Sequence, residues 1–246
     1  MAEAALKTVP RASSDALLAV RGLEGWYGES HVLHGIDLDV RAGEVVTLLG
    51  RNGAGKTTTL RAIIGILARR AGSITYEGVE TIGMASRNIA RLGLGYVPEE
   101  RGIFASLTVA ENLMLPPIVK PGGMSVAEIH TLFPNLKERA GSQGTKLSGG
   151  EQQMLAIGRI LRTGAKLILL DEPTEGLAPV IVQQIGRTIR ELKGRGYTIV
   201  LVEQNFRFAQ TLADRHVVIE QGRVVDEIAN DALDANIDKL HAYLGV

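Results

Sequence analysis

Apolar and polar residues change their period along this chain, and each change marks an element. Ile36, Leu38 and Val40 alternate with Asp37 and Asp39, the pattern of a strand with one buried face, and Ile74 and Tyr76 repeat it on a shorter scale. The front of the chain therefore reads as strand-rich. Val45 to Leu49 is a continuous apolar run before a glycine-rich turn, as expected of a parallel strand covered on both faces. Leu60, Ile63, Ile64 and Leu67 then fall at i, i+3, i+4 and i+7, predicting a helix that ends near Gly72. The same order returns later: a buried strand over 166–170, a helix opened by Pro179 and closed near Gly194, and a buried strand over 198–202. This alternation implies a parallel sheet with helical crossovers.

From about residue 95 to 146 the strand pattern lapses. Pro98, Pro116, Pro117, Pro121 and Pro134 accumulate there with Gly122, Gly123, Gly141 and Gly144, which reads as an inserted, mostly helical subdomain. Residues 216–220 and 223–228 form a hairpin pattern around Gln221-Gly222, and a polar helical tail follows.

Composition narrows the function classes. Hydrophobic residues at 45% and charged residues at 22% are ordinary globular usage, which argues against disorder. Lys plus Arg equals Asp plus Glu at 27 each, leaving no basic surplus for a nucleic-acid backbone, so nucleic acid is not an expected partner. The absence of cysteine excludes disulfides, a thiol nucleophile and Cys-ligated metals. The apolar runs fall far short of the roughly 20 residues that span a bilayer. Residues 1–15 carry Lys7 and Arg11 without the apolar core of a secretory signal and are expected to be a mobile tail. His31, His34, His130, His216 and His241 show no metal-ligand spacing and read as structural or surface residues.

Gly50-Arg51-Asn52-Gly53-Ala54-Gly55-Lys56-Thr57, followed by Thr58, fits the P-loop pattern between a buried strand and an amphipathic helix. Glycines let backbone N–H groups turn toward phosphate oxygens, and the helix dipole adds attraction for the anion. Lys56 is then expected on the β- and γ-phosphates of ATP and the Thr57 hydroxyl on Mg²⁺. Asp171 and Glu172 end the run Leu167 to Leu170, at the sheet edge where ligands bind. Alone they could be a solvated acidic turn. Beside a phosphate loop they read as a metal-shell carboxylate, Asp171, and a residue that orients and deprotonates water, Glu172. In Leu147-Ser148-Gly149-Gly150-Glu151-Gln152-Gln153, Ser148 and Glu151 have the spacing of a capping box, so a plain helix start is one reading. Two glycines there also suit the approach of an anion to backbone N–H groups.

Taken in order, the phosphate loop, LSGGEQQ and LILLDEP resemble the nucleotide-binding domain of the ABC transporter family over nearly the whole chain. The resemblance implies an α/β, P-loop NTPase (RecA-like) fold: a mostly parallel sheet with an N-terminal antiparallel β region and an inserted helical subdomain. It implies a tail at 1–16 and a nucleotide-binding domain at 17–246, with its core at 17–95 and 147–230, helical subdomain at 96–146 and C-terminal helical tail at 231–246. It further implies ATP and Mg²⁺, a head-to-tail pair with a second such subunit, integral membrane permease subunits, an indirectly coupled solute-binding protein, and a peripheral place on the cytoplasmic face of the membrane. In such a pair Ser148, Gly149, Gly150 and Glu151 serve the partner's ATP. Tyr27 matches the residue on which the family stacks adenine, although a lone tyrosine serves packing as readily.

Three departures mark a branch. Glu99 in Val97-Pro98-Glu99 stands where the family has glutamine and can still face Mg²⁺. Gln204 in Val202-Glu203-Gln204-Asn205 replaces the usual switch histidine and cannot act as a base near neutral pH, which puts weight on Glu172. Glu175-Gly176-Leu177-Ala178 lacks a common aspartate. With Lys56, Glu172 and Gln204 form the expected catalytic set. Together these departures resemble the LivF-type subunits of branched-chain amino acid importers. Urea and amide importers have similar subunits. A soluble ABC ATPase acting on nucleic acid or ribosomes is the less favoured class, and a P-loop kinase leaves LSGGE unexplained.

Overall fold

The computed structural model describes residues 16–244. Of the tail expected at 1–16, residues 1–15 lie outside the described residues, and Ala16 already opens the first strand. Strands β1 (Ala16–Tyr27), β2 (Ser30–Arg41), β4 (Arg69–Tyr76) and β5 (Val79–Glu80) form an antiparallel sheet in the order β2-β1-β4-β5. A six-stranded sheet runs β10-β9-β3-β8-β7-β6, built from β3 (Val45–Leu49), β6 (Leu94–Val97), β7 (Leu167–Asp171), β8 (Thr198–Val202), β9 (Arg215–Glu220) and β10 (Arg223–Ala229). All its pairings are parallel except the β9–β10 hairpin. Gln221 and Gly222 turn that hairpin with φ of 48° and 72°, the left-handed pair that a tight two-residue turn needs.

β3, β7 and β8 are buried at every position because both faces of the sheet are covered. Val46, Leu48, Leu169 and Val200 pack on one side with α1 (Lys56–Ile63) and the antiparallel sheet. Ile168, Leu170, Ile199 and Leu201 pack on the other with a helical layer. After α2 (Ser86–Arg91), which leads into β6, that layer holds α3 (Val109–Met114), α4 (Val126–Leu132) and α5 (Pro134–Glu138), then α6 (Gly149–Arg162) and α7 (Pro179–Gly194), and it takes in Phe208 of the short α8 (Phe206–Ala209). Met154, Ile157 and Leu161 of α6 share a core with Leu113, Ile129 and Leu136, so the helical packing that begins in 96–146 continues through Arg162.

Two expectations are corrected. The helix carrying Leu60 and Ile63 ends at Ile63, well before Gly72. Gly65, at φ 78°, donates to the Ala62 carbonyl, and Ile66 N–H reaches back to Arg61, the double closure of a Schellman end. Gly72 lies inside β4, where a Cβ would come within 2.5 Å of the Gly22 carbonyl. The C-terminal tail is not polar throughout. Leu233 and Leu240 of the segment ending in α9 (Ile237–Leu244) are buried with Leu49, Val218 and Ile228.

Candidate nucleotide site

Because β3, β6, β7 and β8 run parallel, their carboxyl ends open on one edge, and each end delivers a different chemical group. β3 leads into the phosphate loop. Gly50 takes φ 150°, and a Cβ there would stand 2.2 Å from the Ile219 carbonyl, so the loop can turn only on a residue without a side chain. Gly55 opens α1 in the left-handed region at φ 110°, and no side chain caps the first N–H groups of that helix. Asn52 to Thr58 line a cleft of about 340 Å³ with Val32, Glu99, Glu172, Glu175 and Gln204. Gly50 and Arg51 face an adjoining cavity, also reached by Gln204.

Lys56 is buried, with its ammonium donating to the carbonyls of Gly50 at 2.9 Å and Arg51 at 3.2 Å, and 3.8 Å from Glu172 Oε1. Burial pushes its pKa below the ordinary lysine value, against the attraction of Glu172 and Asp171. Thr57 donates its hydroxyl to Asp171 Oδ1 at 2.8 Å, and Tyr96 donates to Oδ2 at 2.9 Å. Asp171 is fully buried, and desolvation raises its pKa even though both donors and the nearby Arg61 favour its charged form. Thr57 and the carboxylates of Asp171 and Glu99 are the hard oxygen donors that Mg²⁺ takes. Among the lining residues, Glu99, Glu172 and Glu175 face the single ammonium of Lys56, an acidic excess suited to a divalent cation. Desolvation, then Glu175 and Asp171, raise the Glu99 pKa.

Glu172 sits at φ 46°, a strained backbone for a residue with a side chain, immediately after β7. Gln204 donates its amide to Glu172 Oε2 at 2.6 Å. Desolvation raises the pKa of Glu172, partly opposed by that amide and by Lys56. The sequence-predicted Lys56, Thr57, Asp171, Glu172, Gln204 and Glu99 thus converge. Tyr27 does not join them: it is exposed at the β1–β2 turn and is not among the residues lining the cleft. Nor do Ser148, Gly149, Gly150 and Glu151, which stand at the start of α6. There Ser148 Oγ accepts from Glu151 N–H at 3.3 Å, and Glu151 Oε2 accepts from Ser148 N–H at 2.8 Å, the reciprocal box expected from the sequence. A Cβ on the buried Gly150 would lie 2.8 Å from Ile181.

Several contributors were missed. Tyr96 reads as one more apolar position of a buried strand, and its hydroxyl becomes visible as a ligand of Asp171 only when β6 pairs with β7. Arg61 could have been found, because it lies one helical turn after Thr57 and so on the same face of α1. Glu203, one residue before Gln204, is 3% exposed and accepts from the Thr174 hydroxyl at 2.7 Å. Burial pushes its pKa up to about 7.

Residues 33–175 match the family model described as ABC transporter. The chain is 44% identical over 232 residues, 93% of its own length and 100% of the relative's, to the high-affinity branched-chain amino acid transport ATP-binding protein BraG of Pseudomonas aeruginosa. It is 36% identical over 231 residues, 89% of this chain and 92% of the relative, to the L-cystine transport system ATP-binding protein TcyN of Escherichia coli. A bacterial ABC transporter cassette solved as a dimer superposes with a TM-score of 0.76 at 25% identity, covering 87% of this chain and 98% of that one.

Proposed function

Because this chain belongs to the ABC transporter family as an ATP-binding, ATP-hydrolysing subunit, we propose that it powers import of branched-chain or other hydrophobic amino acids from the cytoplasmic face of the cell membrane. The observation that carries the reading is a half-site: one cleft gathers Lys56, Thr57 and Glu172, with Asp171 held on Thr57 behind it, while the Ser148 helix start opens elsewhere. A second subunit, related or identical, completes it head to tail by bringing its own Ser148 to Glu151 segment to this chain's ATP. The dimeric cassette similar to this chain supports such pairing.

In this reading the uncapped N–H groups of the loop and α1 receive the phosphates, and Lys56 exchanges its carbonyl partners for phosphate oxygens. Tyr27 stacks on adenine as nucleotide enters. Glu172 orients the attacking water and takes its proton, and its raised pKa brings it nearer the basicity that task needs. Gln204 holds that carboxylate in place through the 2.6 Å amide contact. Thr57, Asp171 and Glu99 would hold Mg²⁺, which when bound offsets charge on the transferring phosphoryl group. Tyr96 fixes Asp171 from behind through its hydroxyl, and the charge of Arg61 favours the ionised carboxylate.

Integral permease subunits, reached in turn by a solute-binding protein, are the proposed partners. Ile66, Met114, Leu115 and Ile118 are exposed apolar residues around a cleft of about 290 Å³ lined by Pro116, Pro117 and Ile160, a surface suited to an apolar partner segment. Detergent pull-down should retain integral membrane subunits with this chain, and vesicles carrying the complex should take up leucine with ATP. Enrichment of nucleic acid or ribosomes in place of membrane subunits would overturn the assignment.

A further inference from the structure

Near their turn, β1 and β2 are out of simple register. Glu24 pairs with His34, Gly25 with Leu33 and Trp26 with His31, so Val32 is an extra residue, a β-bulge. An unbroken strand would send His31 and His34, three residues apart, to opposite faces. The bulge turns both toward Glu24 and Trp26. One donor atom from each of Glu24, His31 and His34 lies within 4.8 Å of those of the other two, the one such triad among the described residues. His31 Nε2 already touches Glu24 Oε2.

The surroundings hold these rings in place. His31 stacks on Trp26 with centroids 4.5 Å apart and 13° between the planes, and His34 meets His31 edge-on at 4.1 Å. Arg69 covers Trp26 at 4.9 Å. The His34 backbone is tied down on both sides: its N–H donates to the Gly222 carbonyl at 2.8 Å, and its carbonyl accepts from Arg223 at 2.7 Å. The side chains of His31 and Glu24 are 37% and 34% exposed, so a dissolved ion can reach them.

We propose that Glu24, His31 and His34 bind a borderline transition-metal cation, Zn²⁺ foremost, at a site separate from the nucleotide cleft. Two neutral imidazoles and one carboxylate are a donor set that Zn²⁺ takes, with a position left for water. Mg²⁺ and Ca²⁺, which prefer all-oxygen shells, are disfavoured there. Metal–ligand bonds of about 2.0–2.2 Å set the donors of a tetrahedral ion roughly 3.3 Å apart, so His31 Nε2 and Glu24 Oε2, now in direct contact, must part to admit it. The bound ion clips β1 to β2 on either side of the turn at Gly28 and Glu29, next to Tyr27.

Untagged, nucleotide-free protein titrated with Zn²⁺ in excess Mg²⁺, with free Zn²⁺ read by a chromogenic chelator, tests this. The wild type should take up one equivalent per chain. Glu24→Gln and His31→Ala should each weaken it by about tenfold or more, while His241→Ala leaves it unchanged. Zn²⁺ at a fixed concentration should also raise the Tm of the wild type by more than that of Glu24→Gln. If His31→Ala fails to fold, Glu24→Gln and His34→Gln carry the comparison. No stoichiometric uptake by the wild type, or equal affinity in the wild type and these variants, overturns the site.

Discussion

Two helices of this protein begin beside glycines, and their first turns are finished in opposite ways. α1 starts after Gly55 with no side-chain cap, beside a buried lysine that for now bonds to the loop's own carbonyls. α6 starts at Ser148 with its cap already closed on Glu151. An uncapped helix start leaves donors without partners, so the α1 end is open to an anion, whereas at the α6 end the box already satisfies the N–H groups of Ser148 and Glu151 and leaves only those of Gly149 and Gly150. In the proposed reading the first is a binding centre and the second a surface presented to a partner. The largest test of that division is Glu172→Gln. With binding and chemistry separated, ATP affinity should be retained while hydrolysis falls by about 10²- to 10⁴-fold, the usual scale for a lost general base. Near-normal turnover in a phosphate-release assay would remove Glu172 from the centre.

The binding centre also carries a burden that the α6 end does not, a deeply buried carboxylate behind it. Glu203 has its pKa raised by burial from 4.5 to about 7. The raised value means that the fold favours the protonated form. The stability this gives is full below 4.5 and is lost as pH rises through about 7. At about 1.36 kcal/mol per pH unit, the interval caps the effect at roughly 3 kcal/mol. Glu203→Gln, which keeps an oxygen for Thr174, should therefore unfold at higher denaturant than the wild type at pH 8 and match it near pH 4.5. Parallel curves across that range would mean that Glu203 is not held neutral by the fold.

Lys56→Ala addresses the open end directly. Each charge-assisted hydrogen bond contributes roughly 1.5 to 3 kcal/mol, so nucleotide affinity in equilibrium dialysis should fall by about tenfold to a hundredfold. Folding should suffer less, because the lysine's present partners are backbone carbonyls at the cleft wall. Unchanged affinity would mean that the phosphates bind elsewhere.

The sequence announces the centre because its chemistry is local. Gly50 to Thr57 are contiguous, Asp171 and Glu172 end an unmistakable buried strand, and the Ser148–Glu151 box is a three-residue spacing. α7 and β8 follow the boundaries set by Pro179, Gly194 and the apolar run at 198–202. What stayed hidden depends on pairing across the chain. Tyr96 reaches Asp171 over 75 residues, and Thr174 reaches Glu203 over 29, neither of which a periodicity can report. The helix α1 stops before Gly65 and not near Gly72, and the Schellman bonds that stop it are not written in a periodicity. The bulge at Val32 breaks the period of two on which any reading of His31 and His34 from spacing depends.

The smallest expected effect is the one that tests the α6 end. Ser148→Ala deletes the acceptor of Glu151 N–H, a change that costs about 0.5 to 2 kcal/mol at an N-cap, and the Tm should drop accordingly. Because Ser148 does not line this chain's own cleft, ATP affinity of the isolated chain should not move. Turnover in the assembled pair should fall all the same, since the partner's ATP loses a hydroxyl. Ser148→Asp separates the two roles. It keeps an acceptor for Glu151 N–H and so recovers part of the Tm, but it sets a negative charge against the partner's phosphates, and turnover should stay low. Recovery of both together would mean that the cap alone matters. A loss of ATP affinity in isolated Ser148→Ala would place the two helix starts in one site and dissolve the division between them.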